Sequence, residues 1–124
     1  GCGDSLVGQE LRKKNCHVES IDVEDPKEAK TIKYFTKMDL NIPNPPIDIE
    51  RFDYILLLDV LEHLEEPERF IYQLRAKANG RTPQFIISVP NIGFLMMRLQ
   101  LLMGRFSYGV RGILDLGHRR LFTF

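Results

Sequence analysis

An α/β fold built on a parallel sheet is what this chain of 124 residues predicts. Three observations carry that expectation. Strand-like and helix-like segments alternate along the chain, the pattern of parallel sheets joined by crossover helices. Phe52–Leu58 (FDYILLL) is a nearly unbroken apolar run, as expected for a strand covered on both faces. Three strand-like segments end in an acid, at Asp22, Asp39 and Asp59.

Ser5–Lys14 places Leu6, Val7 and Leu11 at helical spacing, with Arg12–Lys14 favourable in a last turn and Asp4 or Ser5 able to cap the start. His17–Val23 reads as a short strand with Val18, Ser20 and Asp22 on one face. Pro26 suits a first helical turn, so Pro26–Ile32 is expected as a brief helix. Ile32–Met38 then reads as a second strand, reached by a crossover near the ~10–12 residue minimum for a parallel connection. The Pro-rich stretch Asn41–Pro46 is a loop. Phe52–Leu58 is the next strand, followed by a turn over Val60–Leu64. A helix is predicted from Pro67 to Ala78, with an apolar stripe of Phe70, Ile71 and Leu74 and a stop at Asn79-Gly80. Gln84–Val89 is predicted as another buried strand, stopped by Pro90-Asn91. Phe94–Met103 is helical and apolar almost all round, consistent with core or lid packing, and Gly104 ends it. Arg105–Phe124 reads as loop.

Composition narrows the function classes. Hydrophobic residues make up 44% of the chain, enough for one core, and 17 basic side chains balance 17 acidic ones. That balance argues against a charged nucleic-acid-binding tail, but it conceals a split. Residues 1–68 hold 8 basic and 16 acidic side chains, whereas residues 69–124 hold 9 basic ones and 1 acid, Asp115. The split reads either as two faces of one compact domain or as a site for an anionic partner on the second half. Arg105, Arg111, Arg119 and Arg120 would supply that site, or else form a solvated surface. Cys2 and Cys16 do not make a disulfide framework, so a reduced, cytoplasmic setting is expected. No apolar run approaches the ~20 residues of a transmembrane helix.

Ligands of parallel sheets bind beyond the carboxyl ends of the strands. Acids repeated there suit a ligand rich in hydroxyl and amine donors. Gly1-Cys2-Gly3 before a helix lets the backbone approach such a ligand closely, and Asp22, 19 residues after Gly3, is placed to accept hydrogen bonds from a ribose. The dinucleotide fingerprint GxGxxG fails at Leu6, which sets NAD and FAD aside.

These segments, in this order, resemble the class I S-adenosylmethionine-dependent methyltransferases over essentially the whole chain. Gly1-Cys2-Gly3-Asp4 is similar to the end of their glycine motif, with Ser5 where a third glycine is common. Ile21-Asp22 resembles their ribose-binding acid, and Met38-Asp39-Leu40 the segment beside adenine. Phe52-Asp53-Tyr54-Ile55 through Asp59-Val60-Leu61-Glu62-His63-Leu64 resembles the fourth-strand motif, and Ile87-Ser88-Val89-Pro90-Asn91 the fifth strand and its exit. With Gly117-His118-Arg119-Arg120-Leu121-Phe122-Thr123, the likeness is to a bacterial subgroup acting on small molecules or glycans. The resemblance implies a Rossmann-like parallel sheet with flanking helices. It is incomplete here, because the family's first strand is expected before Gly1 and its last two after Phe124, so residues 1–124 would be part of a larger methyltransferase domain. It also implies S-adenosylmethionine as cofactor. Gly1 and Gly3 would border its methionine part, Asp22 its ribose, and Asp39 and Leu40 its adenine, with Asp59 near the sulfonium.

Methyl transfer is an in-line displacement, so a general base is needed only for a poorly acidic hydroxyl or a protonated amine. His63 and His118 are the candidates. Asp59, Glu62 and His63 are spaced i, i+3, i+4, and one helical turn would put them on one face. They could there bind a divalent metal with His118 as fourth ligand. This is similar to the E-x-x-E-H metal motif of small-RNA 2′-O-methyltransferases and ubiquinone-biosynthesis O-methyltransferases, with Asp59 for the first Glu. The plainer reading makes Glu62 and His63 a solvated turn. The expected activity is methylation of an O or N atom of a small metabolite or glycan-linked, anionic acceptor. The alternatives are a non-catalytic adenosyl-ligand-binding or interaction module of the same fold, and a metal-assisted RNA 2′-O-methyltransferase. Nucleic acid is the less favoured partner, and oligomeric state is left open.

Overall fold

The computed structural model describes residues 1–26, 34–80, 82–109 and 112–123. The chain divides into two compact units, Gly1–Pro46 and Ile47–Phe124, and each contains one pair of parallel strands. The structure is therefore mixed α/β, as expected, with its strands in two small sheets.

In the first unit, helix α1 spans Leu6–Lys13, strand β1 Ser20–Asp22 and strand β2 Phe35–Lys37. The strands pair in parallel with Ser20 opposite Phe35 and Asp22 opposite Lys37. Both are shorter than their apolar and β-branched runs predict. The helix expected over Pro26–Ile32 and the start of the second strand lie outside the described residues. Ser5 does occupy the N-cap position of α1, but its side chain makes no capping bond. It adopts the left-handed backbone region instead, with φ 53°, and its hydroxyl lies 3.1 Å from that of Ser20. The apolar stripe of α1 stays largely outside, with Leu6 71% exposed. Gly8 is the buried residue of this helix. A Cβ there would stand 2.3 Å from the Ser5 hydroxyl, so the close approach requires glycine.

In the second unit, strand β3 spans Tyr54–Leu58, helix α2 Pro67–Ala76, strand β4 Gln84–Ser88 and helix α3 Leu95–Leu102. β3, α2 and β4 form a βαβ unit, with Tyr54 opposite Gln84 and Leu58 opposite Ser88. Pro67 opens α2 with no N–H to lose, and Phe70 and Leu74 carry the predicted stripe into the core. Beyond its end, the N–H groups of Asn79 and Gly80 both donate to one oxygen of Glu50, at 2.6 and 2.7 Å. Leu57, Val60, Leu61 and Leu64 complete the centre of this core together with Ile49.

Two burial expectations fail in this unit. β4 was expected to be covered on both faces, yet Ile86 and Ile87, which point to opposite faces, are both exposed. Among the described residues its sheet has two strands, and α2 packs on one side of it. Helix α3 is apolar almost all round but buries only Met97, while Leu102 is 85% exposed. Gly104 ends the helix as predicted, donating its N–H to the Leu101 carbonyl. Among the described residues the tail from Arg105 is irregular, tied by single bridges of Gly109 to Asp115 and Asn91 to Phe122. No helix among the described residues is long and apolar enough to cross a membrane.

Candidate functional site

Each unit gathers part of the predicted site at the carboxyl end of its strands. In the first unit the glycine turn meets Asp22. The Cys2 N–H donates to the Ile21 carbonyl at 3.1 Å, as does the Gly1 nitrogen, which lays the turn along the end of β1. The Gly3 N–H then donates to Asp22 Oδ2 at 2.8 Å, while the Glu24 N–H donates to Oδ1 at 3.1 Å. Burial opposes ionisation of this carboxyl. The N–H groups of Glu24, Gly3 and Val23 outweigh it and hold its pKa below the usual value.

Asp39 lies on the same edge, because β1 and β2 are parallel and the Met38 N–H donates to the Asp22 carbonyl at 2.8 Å. Its carboxylate accepts from the Asn41 N–H and side-chain amide, making a local turn with Leu40 inside it. Asp39 is exposed and Leu40 half-buried.

The second unit holds Asp59, His63 and His118, and the structure corrects their expected grouping. Asp59 follows β3 in the left-handed region, φ 51°, and precedes a single 3-10 turn, Leu61–His63. Its carboxylate is therefore not stacked on one helical face with Glu62 and His63. It accepts the Ser88 hydroxyl at 2.9 Å instead. The three groups brought together are Glu62, His63 and His118, whose candidate ligand atoms all lie within 4.8 Å of one another.

The tail makes this meeting possible. The N–H groups of Arg119 and Arg120 both donate to the Glu62 carbonyl, at 2.7 and 3.1 Å, pinning the segment to the 3-10 turn. Gly117 passes close to the His63 ring, where a Cβ would stand 3.4 Å from Nδ1 and 3.2 Å from Asp115 Oδ1. The two imidazoles meet edge to face with centroids 4.8 Å apart. His63 Nδ1 lies 3.0 Å from the Gly117 carbonyl, and His118 Nδ1 lies 3.0 Å from that of Ile113. A carbonyl only accepts, so each Nδ1 carries the proton and each neutral ring keeps its lone pair on Nε2.

Glu62 is not the solvated side chain of the plainer reading: it is 1% exposed. Its Oε2 has no hydrogen-bond partner among the described residues. Burial pushes its pKa up, and the charge of Asp59 adds to this, against the two histidines and its own N–H. A cavity of about 460 Å³ opens beside it, lined by Asp59, Glu62, Asp115, His118, Pro90 and Ile113 among others. Among the described residues its ionisable lining is acidic and imidazole. Of the arginines expected to favour an anion, Arg119 pairs with the Glu65 carboxylate and Arg120 donates to the Glu65 carbonyl at 2.9 Å. Arg111 lies outside the described residues.

Glu62 was named from its spacing, but its burial was not foreseen. Nor was the part of Ser88, whose hydroxyl holds Asp59 from 29 residues away. Only the polar residue ending an apolar strand signalled it. No protein-family model and no curated protein matches this chain.

Proposed function

We propose that the chain is part of an S-adenosylmethionine-dependent methyltransferase acting on an O or N atom of a small metabolite or glycan-linked acceptor. The observation that carries the reading is the 2.8 Å bond from the Gly3 N–H to Asp22. It joins a glycine turn and a buried acid at the carboxyl end of β1, where a parallel sheet presents its ligands. Asp39 and Leu40 stand along the same edge of the pair, in line with the adenine contacts the resemblance implies. On this reading Asp22, kept ionised by backbone N–H groups, accepts from the ribose hydroxyls through its remaining lone pairs. In the second unit His63 and His118 would accept a proton at Nε2 from the acceptor hydroxyl or amine as methyl transfer proceeds.

Calorimetric titration of S-adenosylmethionine into the protein tests this. Saturable binding is expected, competed by S-adenosylhomocysteine and weakened at least about tenfold in Asp22→Ala, since that change removes a charged hydrogen-bond acceptor worth roughly 1.5–3 kcal/mol. Absence of binding, or binding indifferent to Asp22, overturns the reading.

A further inference from the structure

The cavity of the second unit suits positive charge. The carboxyl groups of Asp59, Glu62 and Asp115 line it beside the His118 ring, and among the described residues no lysine or arginine does. Two of these acids are already engaged: Asp59 accepts the Ser88 hydroxyl at 2.9 Å and Asp115 the Gly117 N–H at 2.7 Å. Glu62 is 1% exposed, and its Oε2 has no partner among the described residues. A buried acceptor without a donor is costly, and more so when charged, so a ligand's N–H or O–H belongs at this end of the cavity.

Charge decides which donor fits. A hydroxyl would satisfy Oε2 but leave the acids repelling one another, and an anion would add to the repulsion. A protonated amine answers both needs, with several N–H groups to donate and a positive charge beside all three carboxyl groups. A quaternary ammonium has no N–H to offer Oε2, and a guanidinium keeps its protons. Pro90 and Ile113 give the cavity an apolar wall for the carbon frame that carries the amine. This reverses the anionic partner expected from the basic second half of the chain.

We infer that this cavity binds a ligand through a protonated primary or secondary amine, with Glu62 as its buried hydrogen-bond acceptor and Asp59 and Asp115 as flanking charges. Resting on the methyltransferase reading, the inference makes the methyl acceptor an amine rather than a hydroxyl compound. Such an amine must lose one proton before its nitrogen is nucleophilic. The electron pair of that N–H bond stays on nitrogen, and the proton passes to the Nε2 lone pair of His118 on the same lining.

An amide-resolved NMR titration at pH 7, without S-adenosylmethionine, tests this with cyclohexylamine, cyclohexanol and cyclohexanecarboxylate, probes of similar shape but different charge. Saturable shifts around Glu62 and Ile113 are expected for the amine, with an affinity at least about tenfold above that of the alcohol, and no saturation by the carboxylate. Glu62→Gln, which keeps side-chain shape, should weaken amine binding at least about tenfold. Asp115→Asn, which keeps an acceptor for the Gly117 N–H, should weaken it about threefold. Glu10→Gln should change nothing, because that exposed acid lies in the first unit, paired with Lys13. No saturable shift, equal affinity for amine and alcohol, preference for the carboxylate, or amine binding indifferent to Glu62→Gln overturns the site. The calorimetric titration of S-adenosylmethionine is read separately. If it fails while the amine binds, the cation site stands and its acceptor role falls; if it succeeds while the amine does not bind, this inference alone falls.

Discussion

The two units use the same device, a pair of parallel strands with an acid at or just past the carboxyl end, and surround it differently. In Gly1–Pro46 the buried side chains include Ser5, Ser20 and Asp22, and the described apolar side chains of α1 remain partly or largely exposed. In Ile47–Phe124 the buried set is mainly apolar, built on Leu57, Val60, Leu61, Leu64, Phe70 and Leu74, and Asp59 is exposed. Position at a strand end therefore does not decide what an acid does. Backbone N–H groups converge on Asp22 and hold it ionised, whereas Asp59 meets a hydroxyl, and the buried carboxylate of its unit is Glu62. The first unit is organised by hydrogen bonds and the second by hydrophobic burial.

This contrast breaks most visibly in the second unit. Leu74 is 1% exposed at the centre of α2, and Leu74→Ala is expected to cost about 2–5 kcal/mol in urea unfolding, the usual range for a buried leucine that leaves a cavity. A loss below about 1 kcal/mol would show that burial does not dominate there.

The first unit should answer to charge instead. Asp22→Asn replaces two charge-assisted bonds with neutral ones, for an expected loss of about 1–2 kcal/mol at pH 7. The sign of its pH dependence follows from the lowered folded pKa. The contribution of Asp22 is present above its unfolded value, near 3.8, and fades as pH falls through the lower folded value. Wild-type protein should thus lose stability on acidification below about pH 4, and Asp22→Asn should flatten that part of the profile. Parallel profiles for the two proteins would remove Asp22 as the anchor of the glycine turn.

The smallest effect concerns the two buried serines. Ser20→Ala removes the bond to Ser5 and should cost about 1 kcal/mol. Ser5→Gly loses the same bond but relieves a left-handed residue worth roughly 1–2 kcal/mol, so it should be close to neutral. Equal losses in the two variants, by thermal unfolding, would mean that the backbone at Ser5 carries no such cost.

Much of this organisation was legible before any coordinates. Pro67 at the start of α2, Gly104 at the end of α3, the acid that ends β1 and the acid after β3 follow from the chemistry of a few adjacent residues. Phe70 and Leu74 were readable because helical spacing places them on one face. The same rules misplaced Asp59, since i, i+3, i+4 spacing brings groups together only when the intervening backbone is helical from the first residue, and Asp59 is left-handed. Apolar runs also failed to foretell burial in β4 and α3, because burial needs a covering partner as well as an apolar side chain.

Element order and the residues that punctuate it were thus local matters, settled by periodicity, proline and glycine geometry, and polar groups at strand ends. Contacts across 50 and more residues required the folded chain. His63 reaches Gly117, and the Glu62 carbonyl receives Arg119 and Arg120, which seats His118 beside a carboxylate enclosed by the core. No neighbouring residue encodes that meeting; it results from how the tail returns to the 3-10 turn after β3.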